Sequence, residues 1–154
     1  MIERTLGAGA FGTVYLARDP LIGRAVALKV LTQAGEPGGS NLALREVRAV
    51  GRLQSPHVVT LYRVHPPDDE HPWMFELEFV EGGSLAALLE REGALPVERA
   101  VRIAREVAQA LRDAGREGVV HGDVKPRTSF SRRRAPRSSR TSASPASWAT
   151  SACR

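Results

Sequence analysis

Three glycines, Gly7, Gly9 and Gly12, lie between two short stretches of strand-forming residues at the start of the chain. The first stretch ends at Leu6, and the second begins at Thr13 with β-branched and aromatic residues. Glycine has no Cβ, so the backbone between the stretches can turn tightly and can approach another group closely. The pattern predicts two antiparallel strands joined by a glycine-rich turn.

Three more strands and one helix are predicted before residue 80. Turn residues at 19–20 and 23–24 separate the second strand from a third, which predicts an antiparallel meander. Residues 34–40 are rich in Gly and Pro and indicate a loop, whereas residues 42–53 have helical apolar spacing. We expect an α+β fold that begins with a small lobe of five antiparallel strands and one helix. The predicted strands are 2–6, 13–18, 25–31, 58–65 and 73–79.

Two further helices are predicted after residue 81. Residues 81–84 combine a chain breaker with an N-cap candidate, Ser84, and a short helix follows. Pro96 opens a longer helix that ends near Gly115 and Gly118. Its apolar residues cover a wide arc, which is typical of a core helix. One predicted face holds Val97, Val101, Ala104, Ala108 and Leu111, and Ile103, Val107 and Ala110 widen it.

The charge is unevenly distributed along the chain. The formal net charge is +5, from 22 basic and 17 acidic residues. Seven arginines and no acidic residue lie in 127–154, which leaves 15 basic against 17 acidic residues elsewhere. The basic balance therefore belongs to the last segment and gives no indication of a nucleic-acid groove on the folded part. Since its Ser, Arg, Ala and Pro residues show no periodicity, 127–154 is predicted to be a disordered basic tail.

Cysteine content and hydropathy favour a soluble protein. The single cysteine, Cys153, cannot form an internal disulfide, which is consistent with a reducing cytoplasm. No stretch approaches the roughly 20 apolar residues of a membrane span, and the N-terminus lacks a signal-peptide pattern. We expect a cytoplasmic protein without a membrane partner.

Three more motifs follow the glycine-rich stretch. They are Val26-Ala27-Leu28-Lys29, the run Leu77 to Leu85, and His121-Gly122-Asp123-Val124-Lys125-Pro126. Together with residues 6–14 they closely resemble the motifs of serine/threonine protein kinases, from about residue 2 to Pro126. The resemblance implies a kinase small lobe and hinge in residues 1–81, and the start of the large lobe in 82–126.

A binding site for ATP is implied in the small lobe. The glycine-rich residues would lie over the triphosphate, and Lys29 would bind its α- and β-phosphates and pair with Glu46. From the residues alone, the alternatives are an ordinary hairpin turn and a lysine that extends to solvent, with Glu46 paired to Arg45 or Arg48. The implied glycine-rich residues are Leu6, Gly7, Ala8, Gly9, Ala10, Phe11, Gly12, Thr13 and Val14.

The hinge would hold the adenine ring. By the same resemblance, backbone groups of Glu78 and Val80 would bond the adenine edge, and Leu77 would be the gatekeeper. The face of the ring would pack against Leu6, Val14 and Ala27.

The last motif resembles the catalytic loop. Asp123 would orient the substrate hydroxyl and accept its proton, and Lys125 would offset charge on the transferred phosphate. His121 is expected to be a packed core residue. Gly122 stands where the family usually has the arginine that pairs with a phosphorylated activation loop. The resemblance therefore implies another mode of activation. A glycine at this position is similar to bacterial members of the family.

The resemblance stops after Pro126, where the family next has an asparagine that holds magnesium. Thr128 occupies that position, and no Asp-Phe-Gly follows. The genetic code offers an explanation, because a frame shifted back by one nucleotide permits Asn at 128 and Ile-Leu-Leu at 129–131. The same shift permits Asp-Phe-Gly at 141–143, and the spacing of 13 residues from position 128 is the family's own. Our hypothesis is a frameshift at or just before Arg127 that truncates the kinase.

The resemblance thus implies an enzyme that uses ATP and Mg²⁺ to phosphorylate serine or threonine in a protein substrate. The ligands for magnesium are missing from this chain, so we expect little or no activity. One alternative is an ATP-binding pseudokinase or a non-functional fragment. Another is a nucleic-acid-binding protein that uses residues 127–154 as a basic arm.

Overall fold

The computed structural model describes residues 1–9, 12–31, 51–122, 124–131 and 148–150. Within these ranges the chain forms two compact units. The first comprises Met1–Arg52 and Thr60–Phe79, and the second comprises Leu53–Val59 and Val80–Cys153. Segment 53–59 therefore belongs to the second unit, although the residues on both sides of it belong to the first.

The first unit contains the predicted five-stranded antiparallel sheet. The strand order is β1-β2-β3-β5-β4, so β1 and β4 are the edges. Every neighbouring pair is antiparallel, which confirms the predicted α+β fold. The strands are β1 Ile2–Gly9, β2 Gly12–Arg18, β3 Ala25–Val30, β4 Leu61–His65 and β5 Met74–Glu78.

Burial in this sheet is concentrated on its inner strands. Strand β1 is exposed along its whole length, and its register with β2 shifts twice. An ion pair between Arg18 and Glu3, at 2.8 Å, joins the two strands on the surface. The apolar core of the unit is formed by the inner strands β2, β3 and β5. Its buried residues are Leu16, Ala17, Val26, Phe75 and Leu77.

The turn between β2 and β3 is closed by local hydrogen bonds. The Asp19 carboxylate accepts from the backbone N–H groups of Leu21 and Ile22, at 2.9 and 3.4 Å. These bonds, that from Leu21 first, lower the pKa of Asp19 below its ordinary value. Gly23 has φ 69°, a conformation that favours glycine. The turn residues identified in the sequence therefore act through an Asx-type turn and a left-handed glycine.

The predicted helix at 42–53 lies outside the described residues, except for its last part, in which residues 51–52 are helical. The second unit contains the two other predicted helices, α1 Leu85–Glu92 and α2 Val97–Arg116. Ser84 caps α1 as expected, because its hydroxyl accepts from the Ala87 N–H at 3.2 Å.

The core of the second unit lies between these helices. Leu88 of α1 and Ile103 of α2 are buried against one another, and Leu85, Leu95 and Val107 pack around them. The predicted central face of α2 is wrong. Val97 and Val101 are 73% and 50% exposed, and the residues that were expected only to widen the face, Ile103, Val107 and Ala110, point inward with Ala114.

Two short strands lie in the segment after Pro126. Strand β6, Ser129–Ser131, pairs with β7, Trp148–Thr150, in an antiparallel ladder. Strand β6 contacts α1, and β7 contacts α2. Arg127 and Thr128 lie in a turn, and residues 132–147 and 151–154 lie outside the described part, so the disorder of the tail stays a prediction. No helix within the described ranges is long and apolar enough to cross a membrane.

Candidate nucleotide-binding and catalytic residues

The glycine-rich stretch forms the hairpin between β1 and β2. Gly9 and Gly12 are the last paired residues, and Ala10 and Phe11 lie outside the described residues. Gly12 has φ 138°, and a Cβ there would overlap the carbonyl oxygen of Val30. The fold itself therefore requires glycine at position 12.

The other two glycines have open surroundings. A Cβ at Gly7 or at Gly9 would meet no described atom within 4 Å, and neither residue has a positive φ. Packing within the described part of the chain therefore does not account for these glycines. A bare backbone that faces open space is the arrangement that lets amide groups approach a phosphate.

Strand register gathers most of the other predicted small-lobe residues on one side of the sheet. Val14 is directly opposite Lys29, and Ala27 is directly opposite Leu77. Directly paired residues share a face, and residues two apart on one strand do so as well. Val14, Ala27, Lys29 and Leu77 therefore lie on a common face, which also carries Leu16 and Phe75.

The surroundings of Lys29 are mainly apolar. It is half-buried on β3, between Val14 on one neighbouring strand and Phe75 on the other. A lysine in such a place keeps its charge more readily when an anion is near. Glu46, the predicted partner, lies outside the described residues, so the pair stays a prediction.

The predicted hinge begins at the end of β5. The Glu78 N–H donates to the Thr60 carbonyl at 2.8 Å, and the Glu78 carboxylate accepts from the Thr60 N–H at 3.3 Å. In the second unit Val80 is buried, and its carbonyl accepts from the Gly83 N–H at 3.4 Å. The Glu78 N–H is bonded to Thr60 and is therefore not available to a ligand.

The predicted catalytic loop lies in the second unit. His121 is 7% exposed, which confirms that it is a packed core residue. Gly122 has φ 67°, in the left-handed region that glycine tolerates without strain. Asp123 lies outside the described residues, and Lys125 is exposed. The Pro126 carbonyl accepts from the Ala86 N–H at 3.0 Å, so the first turn of α1 holds the end of the loop.

Thr128 closes the turn that follows the catalytic loop. Its Oγ1 accepts from the Lys125 N–H and donates to the Lys125 carbonyl, both at 3.0 Å, and its own N–H donates to that carbonyl at 2.9 Å. The hydroxyl is therefore committed to the backbone. Among the described residues, no group of three or more His, Cys, Asp or Glu is placed to hold a metal ion.

One pair of polar residues was not identified from the sequence. The Ser55 hydroxyl donates to the Asp113 carboxylate of α2 at 2.6 Å, and the Gln109 amide donates to the same carboxylate at 3.1 Å. This pair holds segment 53–59 in the second unit. The sequence does not indicate this bond, because the two residues are 58 positions apart in the chain.

These features agree with comparisons to known proteins. The family model for the protein kinase domain matches residues 1–130 of this chain. The chain therefore belongs to the protein kinase family. Serine/threonine-protein kinase PknE of Mycobacterium bovis is 38% identical over 127 residues, and PknH of Mycobacterium tuberculosis is 39% identical over 127 residues. A serine/threonine-protein kinase of Corynebacterium efficiens, drp72, is 40% identical over 130 residues.

The similarity covers a small part of these relatives. Each alignment includes 81% of this chain but only 22%, 20% and 25%, respectively, of the three relatives. The chain therefore corresponds to about a fifth to a quarter of the length of the proteins it matches.

Proposed function

We propose that this chain corresponds to the first part of a kinase that transfers the γ-phosphate of ATP to serine or threonine in proteins, and that the chain itself carries out little or no transfer. The observation that carries the first half is the shared face of Val14, Ala27, Lys29 and Leu77 beside a hairpin with two unobstructed glycines. Phosphoryl transfer depends mainly on positioning, and these residues are suited to position a nucleotide.

In this proposal the small lobe binds ATP. The backbone at Gly7 and Gly9 lies against the phosphates, and the Lys29 ammonium binds the α- and β-phosphates while Glu46 fixes its position. The adenine ring packs on Leu6, Val14 and Ala27. Its edge bonds to the carbonyl of Glu78 and to the backbone of Val80.

The catalytic loop supplies the groups for transfer. Asp123 orients the substrate hydroxyl and accepts its proton, and the Lys125 ammonium offsets negative charge on the transferred group. Magnesium, where a kinase holds it, neutralises charge on the phosphates. Because the Thr128 hydroxyl is bonded to Lys125 on both sides, position 128 offers no asparagine-like ligand, and we expect transfer to fail.

Nucleotide binding is tested by thermal unfolding with and without ATP. A ligand that binds only the folded state stabilises it by about 2.7 kcal/mol at 100 times its Kd. We expect ATP to raise the Tm of the chain and Lys29→Met to abolish the rise. The matched control is Arg63→Met, which removes an exposed positive charge from the edge strand β4 and should leave the rise intact.

Transfer is tested with labelled ATP and a generic basic protein. We expect no more label on the substrate with the wild-type chain than with Asp123→Asn. Label that depends on Asp123 would show an active kinase and contradict the second half of the proposal. A Tm that does not respond to ATP would contradict the first half and leave a fragment without nucleotide binding.

A further inference from the structure

Helix α2 carries an exposed line of apolar residues on a side that does not face the core of the second unit. Four of its positions are spaced by four, three and four residues, and each of them is exposed. This spacing is that of the a and d positions of a heptad repeat, which places the side chains in one row along a helix. We call this row the α2 seam, and its residues are Val97, Val101, Ala104 and Ala108.

The two flanks of the α2 seam differ in chemistry. Ala100 and Val107 lie on one flank, and both belong to the lining of an apolar groove of about 420 Å³. Glu98 and Arg105 lie on the other flank, and both are exposed. Contiguous apolar surface with a charged border is typical of a contact between proteins. The charges on the border then decide which partner fits.

The charges fit an antiparallel copy of the same helix. When two identical helices pack antiparallel, a positions face d positions, so Val101 packs against Ala104 of the second copy. In that register Glu98 lies opposite Arg105 of the second copy, and the two-fold symmetry forms this ion pair twice. In a parallel pair, each charged flank would instead face the apolar flank of the other helix, and no opposite charges would meet.

We propose that the α2 seam binds a second copy of this chain in an antiparallel, two-fold symmetric dimer. From Val97 to Ala108 the seam is about 17 Å long. So short a contact predicts a dissociation constant in the micromolar range, so the dilute chain is a monomer. The proposal does not depend on nucleotide binding or on the frameshift, and the outcomes of the ATP and DNA experiments leave it unaffected.

Sedimentation velocity of the full chain between about 1 and 100 µM tests the proposal, because dimer formation depends on concentration. We expect a reversible equilibrium between monomer and dimer. Glu98→Arg should raise the dissociation constant about tenfold or more, because it places two arginines opposite each other, and Arg105→Glu should do the same with two glutamates. Both reversals together should return the constant to within about threefold of the original, because the ion pairs form again with exchanged charges.

Arg102→Glu is the matched control, because Arg102 is exposed on the same helix but lies outside both flanks of the seam. It changes the net charge as Arg105→Glu does and should leave the dissociation constant unchanged. A reversal that merely unfolded the helix would not be rescued by the second reversal, and far-UV circular dichroism measures the helix content of each variant. The proposal is overturned if the chain stays monomeric over the whole range, or if it dimerises and neither single reversal weakens the dimer.

Discussion

Two kinds of glycine occur in the hairpin between β1 and β2. Gly12 has a positive φ, and its Cα faces the backbone of Val30, whereas Gly7 and Gly9 have room for a Cβ. The same residue type is therefore required by the fold at one position and leaves open space at the others. The sequence motif alone does not separate the two roles.

We expect Gly12→Ala to destabilise the chain by about 2 kcal/mol or more, because the new methyl group meets a backbone oxygen and an unfavourable φ. Gly7→Ala should leave the unfolding free energy within about 0.5 kcal/mol of the original value but reduce the rise in Tm that ATP produces. Urea denaturation measures the unfolding free energy, and thermal unfolding with and without ATP measures the rise in Tm. Equal loss of stability in the two variants would contradict the distinction.

The hydrogen bond between Ser55 and Asp113 has a direct consequence for pH. The bond from the Ser55 hydroxyl lowers the pKa of Asp113 below its ordinary value of 3.8, and the bond from Gln109 acts in the same direction. The Asp113 carboxylate therefore binds a proton less readily in the folded protein than in the unfolded chain. Its contribution to the free energy of unfolding is present above the unfolded pKa and is lost as the pH falls through the lower folded pKa.

Ser55→Ala should cost about 1 kcal/mol at pH 7, in view of the partial exposure of the pair. The difference between the variant and the original chain should shrink below pH 4, because protonated Asp113 is a weaker acceptor. Urea titrations between pH 3 and 7 measure this. In a double-mutant cycle with Asp113→Asn, strict additivity of the two losses would show that the pair is not coupled.

At the scale of elements, helix α2 shows what periodicity can and cannot predict. The helix was predicted to begin at Pro96 and to end near Gly115 and Gly118, and it runs from Val97 to Arg116. Apolar residues cover so wide an arc that more than one face could be the buried one. The face that is buried carries Ile103, Ala110 and Ala114, and Ile103 packs against Leu88 of α1, while Val97 and Val101 are exposed.

Ile103→Ala should therefore destabilise the chain by about 2–5 kcal/mol, since it opens a cavity in the core cluster with Leu88. Val101→Ala is the control on the same helix and should cost less than about 0.5 kcal/mol. Chemical denaturation monitored by circular dichroism compares them. A larger loss for Val101→Ala would show that the buried face is the one predicted from the sequence.

At the scale of the whole molecule, the chain combines the five-stranded sheet of a kinase small lobe with two helices, and the predicted catalytic loop follows them. The family match ends at residue 130, close to the position at which the kinase motifs stop. The Thr128 turn lies in the same short stretch. A frameshift at or just before Arg127 is our hypothesis for the end of the motifs.

Sequencing of the genomic DNA through codons 120–150 tests this explanation. We expect the genomic DNA to show a single-base change near codon 127, relative to the frame that encodes this chain, that restores Asn at 128 and Asp-Phe-Gly at 141–143. The control is the stretch that encodes residues 1–120, which should need no correction. If no single-base change restores both motifs, residues 127–154 are a genuine segment of the protein.

Most strands of the first unit could be predicted from the sequence, because they are short, close together in the chain and separated by turn residues. The face shared by Val14, Ala27, Lys29 and Leu77 required the register of three strands, which the sequence supplies only through family resemblance. Glu46 and Asp123 lie outside the described residues, so their roles are still predictions.

The sequence by itself indicated the five strands to within a few residues, the two helices after residue 81 and the Ser84 cap, because these depend on backbone periodicity and on residues close together in the chain. Only the tertiary structure decided which face of α2 is buried, why Gly12 must be glycine, and that Ser55 binds Asp113. Each of these depends on a contact between residues far apart in the chain, and such a contact exists only after the elements have packed.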